Sequence, residues 1–390
     1  MESDMHSWDA VIIGAGIAGA STAIQLAQQG HRTLLLDRQE FPRHKTCGEF
    51  MSPETKEMLE YLGIVPQLTL ISPSPISKAR IVMPQGGEME ASLPGEAWGI
   101  SRYELDTLLH ARALAAGAEI WTKSNVTSIR QDADGTYQIG IKTGEEEVLY
   151  HTRAVIAAHG TRKPKFVPNT EDQYRDQTVY VGVKSHYTGL TLGPEVELYF
   201  CEGGYTGINA IEGGKVNIAA LLTLKSVQAA GKSVQDILQA AAQSNPKLAA
   251  RLQEAVPVEG TQVSIAPVRL SDAPEPWSDF PHVGDAMMMI PPLCGDGMSI
   301  ALRSSLLCSR LTSQYLNGEL SLEEWRSGYT REAEAQFGSL LRRARMIQRL
   351  AFAKTNIWYP ELAKRFPVIS SYLVKATRLP ETGLLSRRNA

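Results

Sequence analysis

The stretch Asp9-Ala-Val-Ile-Ile13, followed at once by Gly14-Ala-Gly16-Ile-Ala-Gly19, decides the fold of this chain. The first part is a short apolar run with three β-branched residues, which is typical of a parallel strand buried on both faces. The second part opens an Ala- and Leu-rich segment, Ile17 to Gln29, that is long enough for a helix. A G-x-G-x-x-G placed between a buried strand and a helix predicts a Rossmann-like α/β domain with a parallel sheet.

Each glycine of this turn has a predicted role at a dinucleotide. Gly14 permits the tight turn, Gly16 lets the backbone approach a pyrophosphate, and Gly19 lets the helix pack closely on the strand. Free N–H groups at the helix start would then face the phosphates. Asp37 follows a second predicted strand, Thr33–Leu36, and is placed to accept hydrogen bonds from a ribose hydroxyl. This unit predicts FAD or NAD and does not choose between them.

Composition and charge exclude several classes of protein. The 390 residues are 43% hydrophobic and 21% charged, which predicts a globular chain. A formal net charge of −3 provides no basic field for nucleic acid. The four cysteines form no C-x-x-C pair, which argues against a disulfide framework or a metal site. The N-terminus lacks a secretory pattern and no apolar run approaches the length of a membrane span, so we expect a cytoplasmic protein.

A second glycine-rich motif lies about 270 residues downstream of the first. It comprises Gly284-Asp285-Ala286 and the segment Pro291 to Met298, and it precedes a predicted helix from Ser299 to Leu316. Together with the N-terminal glycines and the segment Arg102 to Asp106, it resembles the FAD-containing superfamily of aromatic hydroxylases, geranylgeranyl reductases and flavin-dependent halogenases. The resemblance spans residues 9 to about 310. It favours FAD as cofactor, because an NAD-only dehydrogenase would not need the second motif.

The resemblance implies roles for residues around both motifs. Asp285 would hydrogen-bond a ribityl hydroxyl, and Arg102 would contact the phosphate or ribityl part of FAD. Gly295, Gly297 and Met298 would present backbone N–H groups to the N1 and O2 side of the flavin. The positive end of a helix dipole at that place stabilises the negative charge of reduced flavin.

The loop from Phe41 to Phe50 resembles the Cys-Gly loop of geranylgeranyl reductases and, more distantly, the Gly-Glu-Ser loop of halogenases. The resemblance assigns Arg43 to the cofactor and makes Cys47 and Glu49, near the isoalloxazine ring, the candidate catalytic residues. Because three basic residues lie just before Cys47, we expect its pKa to be lowered, unless the thiol is a buried packing residue.

Two further positions concern the cofactor and its reductant. Val126 follows a predicted strand at the place where related folds hold the adenine by the backbone. NAD(P)H is the expected reductant. His159-Gly160, however, stands where aromatic hydroxylases usually carry Asp-Gly, and this departure weakens the expectation of efficient reduction by NADPH.

Short β-rich runs between residues 179 and 222 predict an antiparallel sheet whose inner face roofs the flavin. Its aromatic and polar side chains are either core or the wall of a substrate pocket. The predicted pocket residues, with one proline from the late motif, are Tyr199, Phe200, Tyr205, Asn209 and Pro292.

The C-terminal part of the chain becomes helical and basic from Leu320 onward. A cationic helix with aromatic residues is typical either of peripheral contact with a membrane, of a cover over an apolar substrate, or of a solvated cap on the FAD domain. The residues that give this pattern are Arg342, Arg343, Arg345, Arg349, Lys354, Trp358 and Tyr359.

We therefore predict three structural parts. A discontinuous FAD-binding domain comprises residues 1–70, 98–165 and 265–320. A β-rich substrate domain comprises residues 71–97 and 166–264, and a helical C-terminal region comprises residues 321–390.

The leading functional hypothesis is an NAD(P)H-driven FAD monooxygenase that hydroxylates an aromatic or polyketide-like small molecule. The first alternative is saturation of isoprenoid double bonds, as in geranylgeranyl reductases. Halogenation is less favoured because a Trp-x-Trp-x-Ile signature is absent. A flavin-bound protein that binds a membrane or a partner, and an NAD-only dehydrogenase, complete the alternatives. The enzymatic hypotheses built on FAD imply an apolar or aromatic substrate.

Overall fold

A computed structural model describes residues 7–162, 164, 178–353, 359–365 and 375–380 of the chain. The strands in chain order are β1 (Ser7–Ile13), β2 (Thr33–Leu36), β3 (Phe50–Met51), β4 (Ser74–Val82), β5 (Glu88–Gly99), β6 (Glu119–Trp121), β7 (Ser124–Gln131), β8 (Tyr137–Thr143), β9 (Glu146–Ala157), β10 (Tyr180–Thr188), β11 (Glu195–Cys201), β12 (Gly204–Ala210), β13 (Val216–Thr223), β14 (Val256–Pro257) and β15 (Val263–Val268). The helices are α1 (Ile17–Gln28), α2 (Thr55–Leu62), α3 (Val65–Ile71), α4 (Arg102–Ala115), α5 (Leu224–Ala230), α6 (Val234–Gln243), α7 (Pro246–Glu254), α8 (Gly297–Leu316), α9 (Leu322–Ala351) and α10 (Tyr359–Arg365).

The first sheet confirms the predicted Rossmann-like α/β class. Within the described residues it has six strands in the order β6-β2-β1-β9-β8-β7, of which β6, β2, β1 and β9 run parallel. Antiparallel β7 and β8 continue the sheet from β9. Every residue of β2 is buried, as expected for a strand covered on both faces.

Helices α1 and α8 pack together on one face of this sheet. Two polar contacts fix the pairing: Ser309 donates a hydrogen bond to the Gln25 side chain at 2.7 Å, and His31 contacts the Ser313 hydroxyl at 2.7 Å. Helix α8 begins at Gly297, two residues before its predicted start. Residues far apart in sequence therefore share one core.

The second sheet has nine strands among the described residues. Eight follow the order β14-β10-β13-β12-β11-β4-β5-β3, and β15 pairs with β10. Neighbours run antiparallel except β11 and β4. Helices α6 and α7 cover one face and bury residues such as Ile237 and Leu248. The other face borders the cavity described below.

The C-terminal region is only partly described. Helix α9 starts with a capping box in which Ser321 accepts a hydrogen bond from the backbone N–H of Glu324, and it runs for 30 residues. Lys354 and Trp358, which contribute to the predicted basic surface, lie outside the described residues. In the described part of the chain, every helix falls short of the length and apolarity needed to cross a membrane.

Candidate active site

A cavity of about 690 Å³ lies between the glycine turn after β1 and the second sheet. Four parts of the chain line it: the glycine turn, the loop from Lys45 to Phe50, one face of the second sheet, and the segments around the start of α8 and the end of α9. The sheet face is mostly apolar, and its side chains include Ile81, Met83, Leu198, Phe200, Leu221 and Val268. The volume and the lining suit a cofactor together with an apolar substrate.

The three glycines of the turn differ in what surrounds them. A Cβ on Gly14, whose φ is +108°, would lie 2.3 Å from the carbonyl oxygen of Ala158. A Cβ on Gly19 would lie 1.9 Å from the carbonyl oxygen of Gly14. A Cβ on Gly16, in contrast, would meet its nearest atom, Arg102 Nη2, only at 3.6 Å. Packing within the protein thus requires Gly14 and Gly19, whereas Gly16 borders open space in the cavity.

Two cations face that space. Arg102 is buried and makes a bidentate ion pair with Asp106, with N–O distances of 3.0 and 2.8 Å. Lys45 lines the cavity, and its ammonium group has no hydrogen-bond partner among the residues that the structure describes. Burial, and then the neighbouring Arg102, lower the pKa of Lys45. Because α1 has no acidic residue in its first turn, its N-terminus and these cations suit an anionic group.

Asp37 and Arg43 lie beside the glycine turn and outside the lining of the cavity. The Asp37 carboxylate accepts hydrogen bonds from the backbone N–H groups of Ala15 at 2.9 Å and Gln39 at 2.8 Å. Arg43 lies 3.9 Å from the same carboxylate. Asp37 braces the turn through Ala15, and the predicted contacts of both side chains with a cofactor stay predictions.

The Gly-Asp-Ala motif reaches the cavity because the chain returns to the first sheet just before it. The N–H of Val283 donates a hydrogen bond to the carbonyl of Ala157, the last residue of β9, at 2.9 Å. Gly284 has a φ of +61°, and a Cβ there would lie 2.9 Å from the Cβ of Ala18 in α1. Asp285 is half-buried, lines the cavity and has no hydrogen-bond partner in the described ranges. Its carboxylate is thus available to a hydroxyl group.

The start of α8 also borders the cavity. Gly295, Gly297, Met298 and Pro292 all line it. Asp296, which the sequence analysis did not single out, is fully buried at the N-cap position and pairs with Arg378 at 2.6 Å. Helix α8 has no acidic residue in its first turn and no side-chain cap, so its first N–H groups are free for an acceptor.

Cys47 lines the cavity, but its chemistry differs from the expectation. Burial raises the pKa of the Cys47 thiol and outweighs the opposing effect of the Arg102 cation. The expected lowering of this pKa was therefore wrong. The backbone N–H of Glu49 points to Cys47 Sγ at 3.3 Å, and Asn217 donates to the Cys47 carbonyl at 3.1 Å. The thiol is held in place and stays protonated at neutral pH.

Near Cys47 lies a buried group of ionisable side chains, here called the charge cluster: Glu49, Lys184 and His186. Glu49 Oε1 lies 2.8 Å from Lys184 Nζ, and Glu49 Oε2 lies 2.6 Å from His186 Nε2. The N–H of Arg102 also donates to Glu49 Oε1 at 3.0 Å. These ionic contacts lower the pKa of Glu49 although burial opposes them. Glu49 has a φ of +53°, a left-handed conformation that costs a non-glycine residue free energy.

Lys184 and His186 were missed by the sequence analysis. The one available signal was their spacing, because two residues separated by one position on a strand lie on the same face of the sheet. Nothing in the sequence indicated that Glu49, 135 positions earlier, would meet Lys184.

Of the predicted pocket residues, Phe200, Tyr205, Asn209 and Pro292 line the cavity. Tyr199 does not. It precedes Phe200 on β11, so its side chain points to the opposite face, where it packs beneath α6 and α7 and donates a hydrogen bond to Glu197 at 2.7 Å.

Two other predicted positions lie away from the cavity. The Val126 side chain is buried in an apolar core with Tyr137 and Ile139, and it does not line the cavity. His159 stands at the end of the first sheet beside the cavity-lining Gly160, and its Nδ1 lies 2.8 Å from the Gly160 carbonyl oxygen.

The residues of this site fit FAD. The space at Gly16, the unpaired Lys45 and the start of α1 would hold the pyrophosphate. The free carboxylate of Asp285 would accept from a ribityl hydroxyl, and the start of α8 would face the flavin. Each of these features is a polar group or a space that the described residues leave without a protein partner.

Comparisons with known proteins agree with this fit. Residues 7–176 match the model of an FAD binding domain. The chain is 30% identical over 323 residues to digeranylgeranylglycerophospholipid reductase 2 of Methanopyrus kandleri, covering 79% of this chain and 76% of that protein. It is 25% identical over 330 residues to a menaquinone reductase of Mycobacterium tuberculosis, covering 78% and 76% of the two chains.

Solved structures show the same fold. A flavin-dependent brominase superposes with a TM-score of 0.76 over 98% of both chains at 17% sequence identity. The myxobacterial chondrochloren halogenase superposes with a TM-score of 0.75 over 98% of this chain and 88% of that one at 18% identity.

Proposed function

This chain belongs to the digeranylgeranylglycerophospholipid reductase family of FAD-dependent oxidoreductases, and we propose that it saturates carbon–carbon double bonds of an isoprenoid-type chain. Reduced FAD would supply the hydride when bound. The chain's own residues would orient the apolar substrate, exclude water and supply the proton.

One observation carries this proposal: the Cys47 side chain lines a mostly apolar cavity. Addition of hydrogen across a double bond requires a hydride at one carbon and a proton at the other. Because burial raises the pKa of Cys47, its thiol holds a proton at neutral pH that it can donate, although it is a weaker acid than an exposed cysteine. A hydroxylase, which obtains its oxygen from O2, has no comparable need for an acid at this position.

The form of the cavity also supports an apolar chain as substrate. Above Cys47, the second sheet contributes Ile81, Leu198 and Phe200, and the end of α9 contributes Ile347 and Leu350. Aliphatic side chains bind a flexible hydrocarbon through the hydrophobic effect and through van der Waals contacts. Hydroxylation of an aromatic or polyketide-like molecule, the leading hypothesis from the sequence, is the alternative that the same experiment tests.

An assay run first without O2 and then with O2 distinguishes the two reactions. Purified protein with reduced FAD is mixed with a geranylgeranyl-bearing glycerophospholipid or with a phenol, and flavin reoxidation is followed by absorbance. We expect reoxidation by the lipid without O2, with two hydrogen atoms gained for each double bond by mass spectrometry. Reoxidation that requires O2 and inserts oxygen into the phenol would overturn the proposal.

A matched pair of variants links this reaction to the cavity. Ala219→Phe would fill space at the cavity wall, whereas Ala115→Phe adds the same ring at an exposed position on α4. We expect Ala219→Phe to slow reoxidation by the lipid at normal FAD content and Ala115→Phe to leave it unchanged. Equal effects of both variants would contradict the assignment of the cavity to the substrate.

The reductant and the membrane contact are parts of the same proposal. We expect NADH or NADPH to reduce the flavin, which stopped-flow absorbance would measure.

On α9, Met346 and Leu350 are 54% and 47% exposed beside the exposed Arg342, Arg343 and Arg349. Apolar and cationic side chains in this arrangement favour binding to an anionic lipid surface. Co-sedimentation with anionic vesicles that is unaffected by Met346→Glu would contradict this contact.

A further inference from the structure

The charge cluster of Glu49, Lys184 and His186 is more elaborate than a structural ion pair requires. The three side chains expose between 0 and 1% of their surface. Each contacts both others, because Lys184 Nζ also lies 2.7 Å from His186 Nε2. Buried charges are costly, and a pair would satisfy Glu49 and Lys184 without a third ionisable group.

The three distances cannot all be hydrogen bonds for one fixed arrangement of protons. His186 Nε2 either carries a proton and donates, or has a free lone pair and accepts. If it donates to Glu49 Oε2, it has no lone pair for the ammonium of Lys184. If it accepts from Lys184, it cannot donate to the carboxylate. The heavy-atom positions of the cluster are therefore compatible with more than one arrangement of its protons.

The cluster meets the cavity at Cys47. Glu49 and Cys47 both line the cavity, and the Glu49 N–H contacts the sulfur at 3.3 Å. Electrostatic interaction with Cys47 contributes to the pKa of Lys184, so the two groups sense each other's ionisation. Asn217 also fixes the backbone at Cys47 by donating a hydrogen bond to its carbonyl.

The other side of the cluster leads toward the surface. The His44 ring packs edge-on against His186, with ring centroids 5.1 Å apart, and its centroid also lies 5.1 Å from that of Tyr103, which is 36% exposed. His44 Nδ1 is buried without a hydrogen-bond partner in the described part of the chain.

The charged and titratable groups near the cluster come from several elements. The loop before Cys47 contributes His44, α4 contributes Arg102, and Lys215, just before β13, acts on His44.

We propose that the charge cluster is a proton store that reprotonates Cys47 after each turnover and is itself refilled from solvent past His44. The step rests on the proposed function. The S–H bond of Cys47 breaks and a C–H bond forms at the substrate, while the electron pair stays on sulfur; the hydride for the other carbon is the chemistry that bound, reduced FAD would supply. A proton from the cluster then restores the thiol. Lys184 and His186 act through Cys47 and do not touch the substrate.

The first test measures Cys47 ionisation without any substrate. The rate of iodoacetamide alkylation of Cys47 is measured at a series of pH values by peptide mass spectrometry. A change in the accessibility of the thiol scales the rate at every pH, whereas a change in the pKa of the thiol moves the midpoint of the profile. At a fixed pH below that midpoint, Lys184→Met should slow alkylation roughly 3- to 10-fold because a cation is lost. Glu49→Gln should accelerate it by a similar factor because an anion is lost.

Two controls keep this test decisive. Lys215→Met removes a nearby cation outside the cluster and should leave the profile near that of the wild type. The double variant Glu49→Gln/Lys184→Met removes both charges, so it should fold even if the single variants do not, and its midpoint should return toward the wild-type value. Changes of the same sign in Lys184→Met and Glu49→Gln, or a double variant that does not return, would overturn the proposal.

The second test separates proton supply from structure. When reduced enzyme is in excess over the geranylgeranyl lipid, each enzyme molecule reduces one double bond and needs only the proton already on Cys47. His186→Asn should therefore retain the single-turnover rate of the wild type. Its steady-state kcat should fall by about 10²-fold, because the thiol is restored slowly. A fall of the same size in both measurements would assign His186 to structure and overturn the proposal.

The two tests also distinguish this proposal from the proposed function. If the alkylation midpoints of Lys184→Met and Glu49→Gln shift in opposite directions but the lipid is not reduced, the proposal for the cluster stands and the proposed substrate is rejected. If the lipid is reduced but the alkylation profiles of the variants do not change, the proposed substrate stands and the proposal for the cluster is rejected.

Discussion

The glycine turn after β1 and the charge cluster each reach the same cavity through one residue, Gly16 and Glu49, yet they are built in different ways. The turn consists of Gly14, Gly16 and Gly19, which lie within six positions of one another and use backbone geometry. The cluster joins Glu49 to residues 135 and 137 positions later and uses side-chain charge. Local geometry can be inferred from local sequence, whereas a buried ionic group exists only after distant strands have packed.

The largest expected effect separates two glycines of the turn. Gly19→Val would force a Cβ to 1.9 Å from the Gly14 carbonyl oxygen, so α1 could not pack on β1 and we expect loss of folded protein by circular dichroism. Gly16→Val meets no atom of the protein within 3.6 Å of its Cβ and should fold, but it would fill the space for the pyrophosphate. Folded, yellow Gly16→Val protein with full FAD content would contradict the assignment of the space at Gly16 to the pyrophosphate.

The next effect concerns Cys47, near the charge cluster. Cys47→Ser keeps the size of the side chain but replaces the thiol by a much weaker acid, so lipid-dependent reoxidation of the flavin should slow by ~10²–10⁴-fold. Flavin reduction and FAD content should not change. Turnover that stays within a few-fold of wild type would favour the hydroxylase, in which the thiol has no chemical role.

A smaller effect returns to the cofactor end of the cavity. Asp285→Ala removes the predicted acceptor of a ribityl hydroxyl, at a cost of about 1–3 kcal/mol. By the usual conversion, FAD should bind roughly 5- to 150-fold more weakly in equilibrium dialysis. Asp279→Ala, at an exposed position of the preceding loop, is the control and should bind FAD normally.

The smallest effect is a dependence of stability on pH near the cluster. Burial, and then the charge of Lys184, lower the pKa of His44 to about 4. Because the unfolded chain takes up this proton near pH 6.5, the contribution of His44 is complete above that pH and is lost as the pH falls toward 4. For a half-buried ring we expect about 1–2 kcal/mol.

Denaturant unfolding of wild type and His44→Gln at pH 7 and pH 4.5 measures this effect. The free energy of unfolding should fall further in the wild type than in the variant. Equal falls in both proteins would show that other groups account for the acid sensitivity.

Much of the fold could be predicted from the sequence because its signals are local. The apolar run before Gly14, the glycine spacing and the Gly-Asp-Ala motif each specify a conformation through neighbouring residues. Tyr199 was misplaced because the face of β11 depends on which residues pack beneath it. The pKa of Cys47 was predicted in the wrong direction because nearby basic residues are visible in a sequence, whereas the depth of burial is not.

The pairing of α1 with α8 sets an order of events during synthesis. Residue 28 ends α1, but the helix that covers it begins at Gly297. At roughly 5–20 residues per second, a ribosome completes the first helix some 15 to 50 s before it begins the second. Throughout that interval the apolar side of α1 lacks its final cover, so we expect the nascent chain to need chaperones and to acquire FAD only near the end of translation. An unfinished chain would expose the same surface permanently, and quality-control proteases would recognise it.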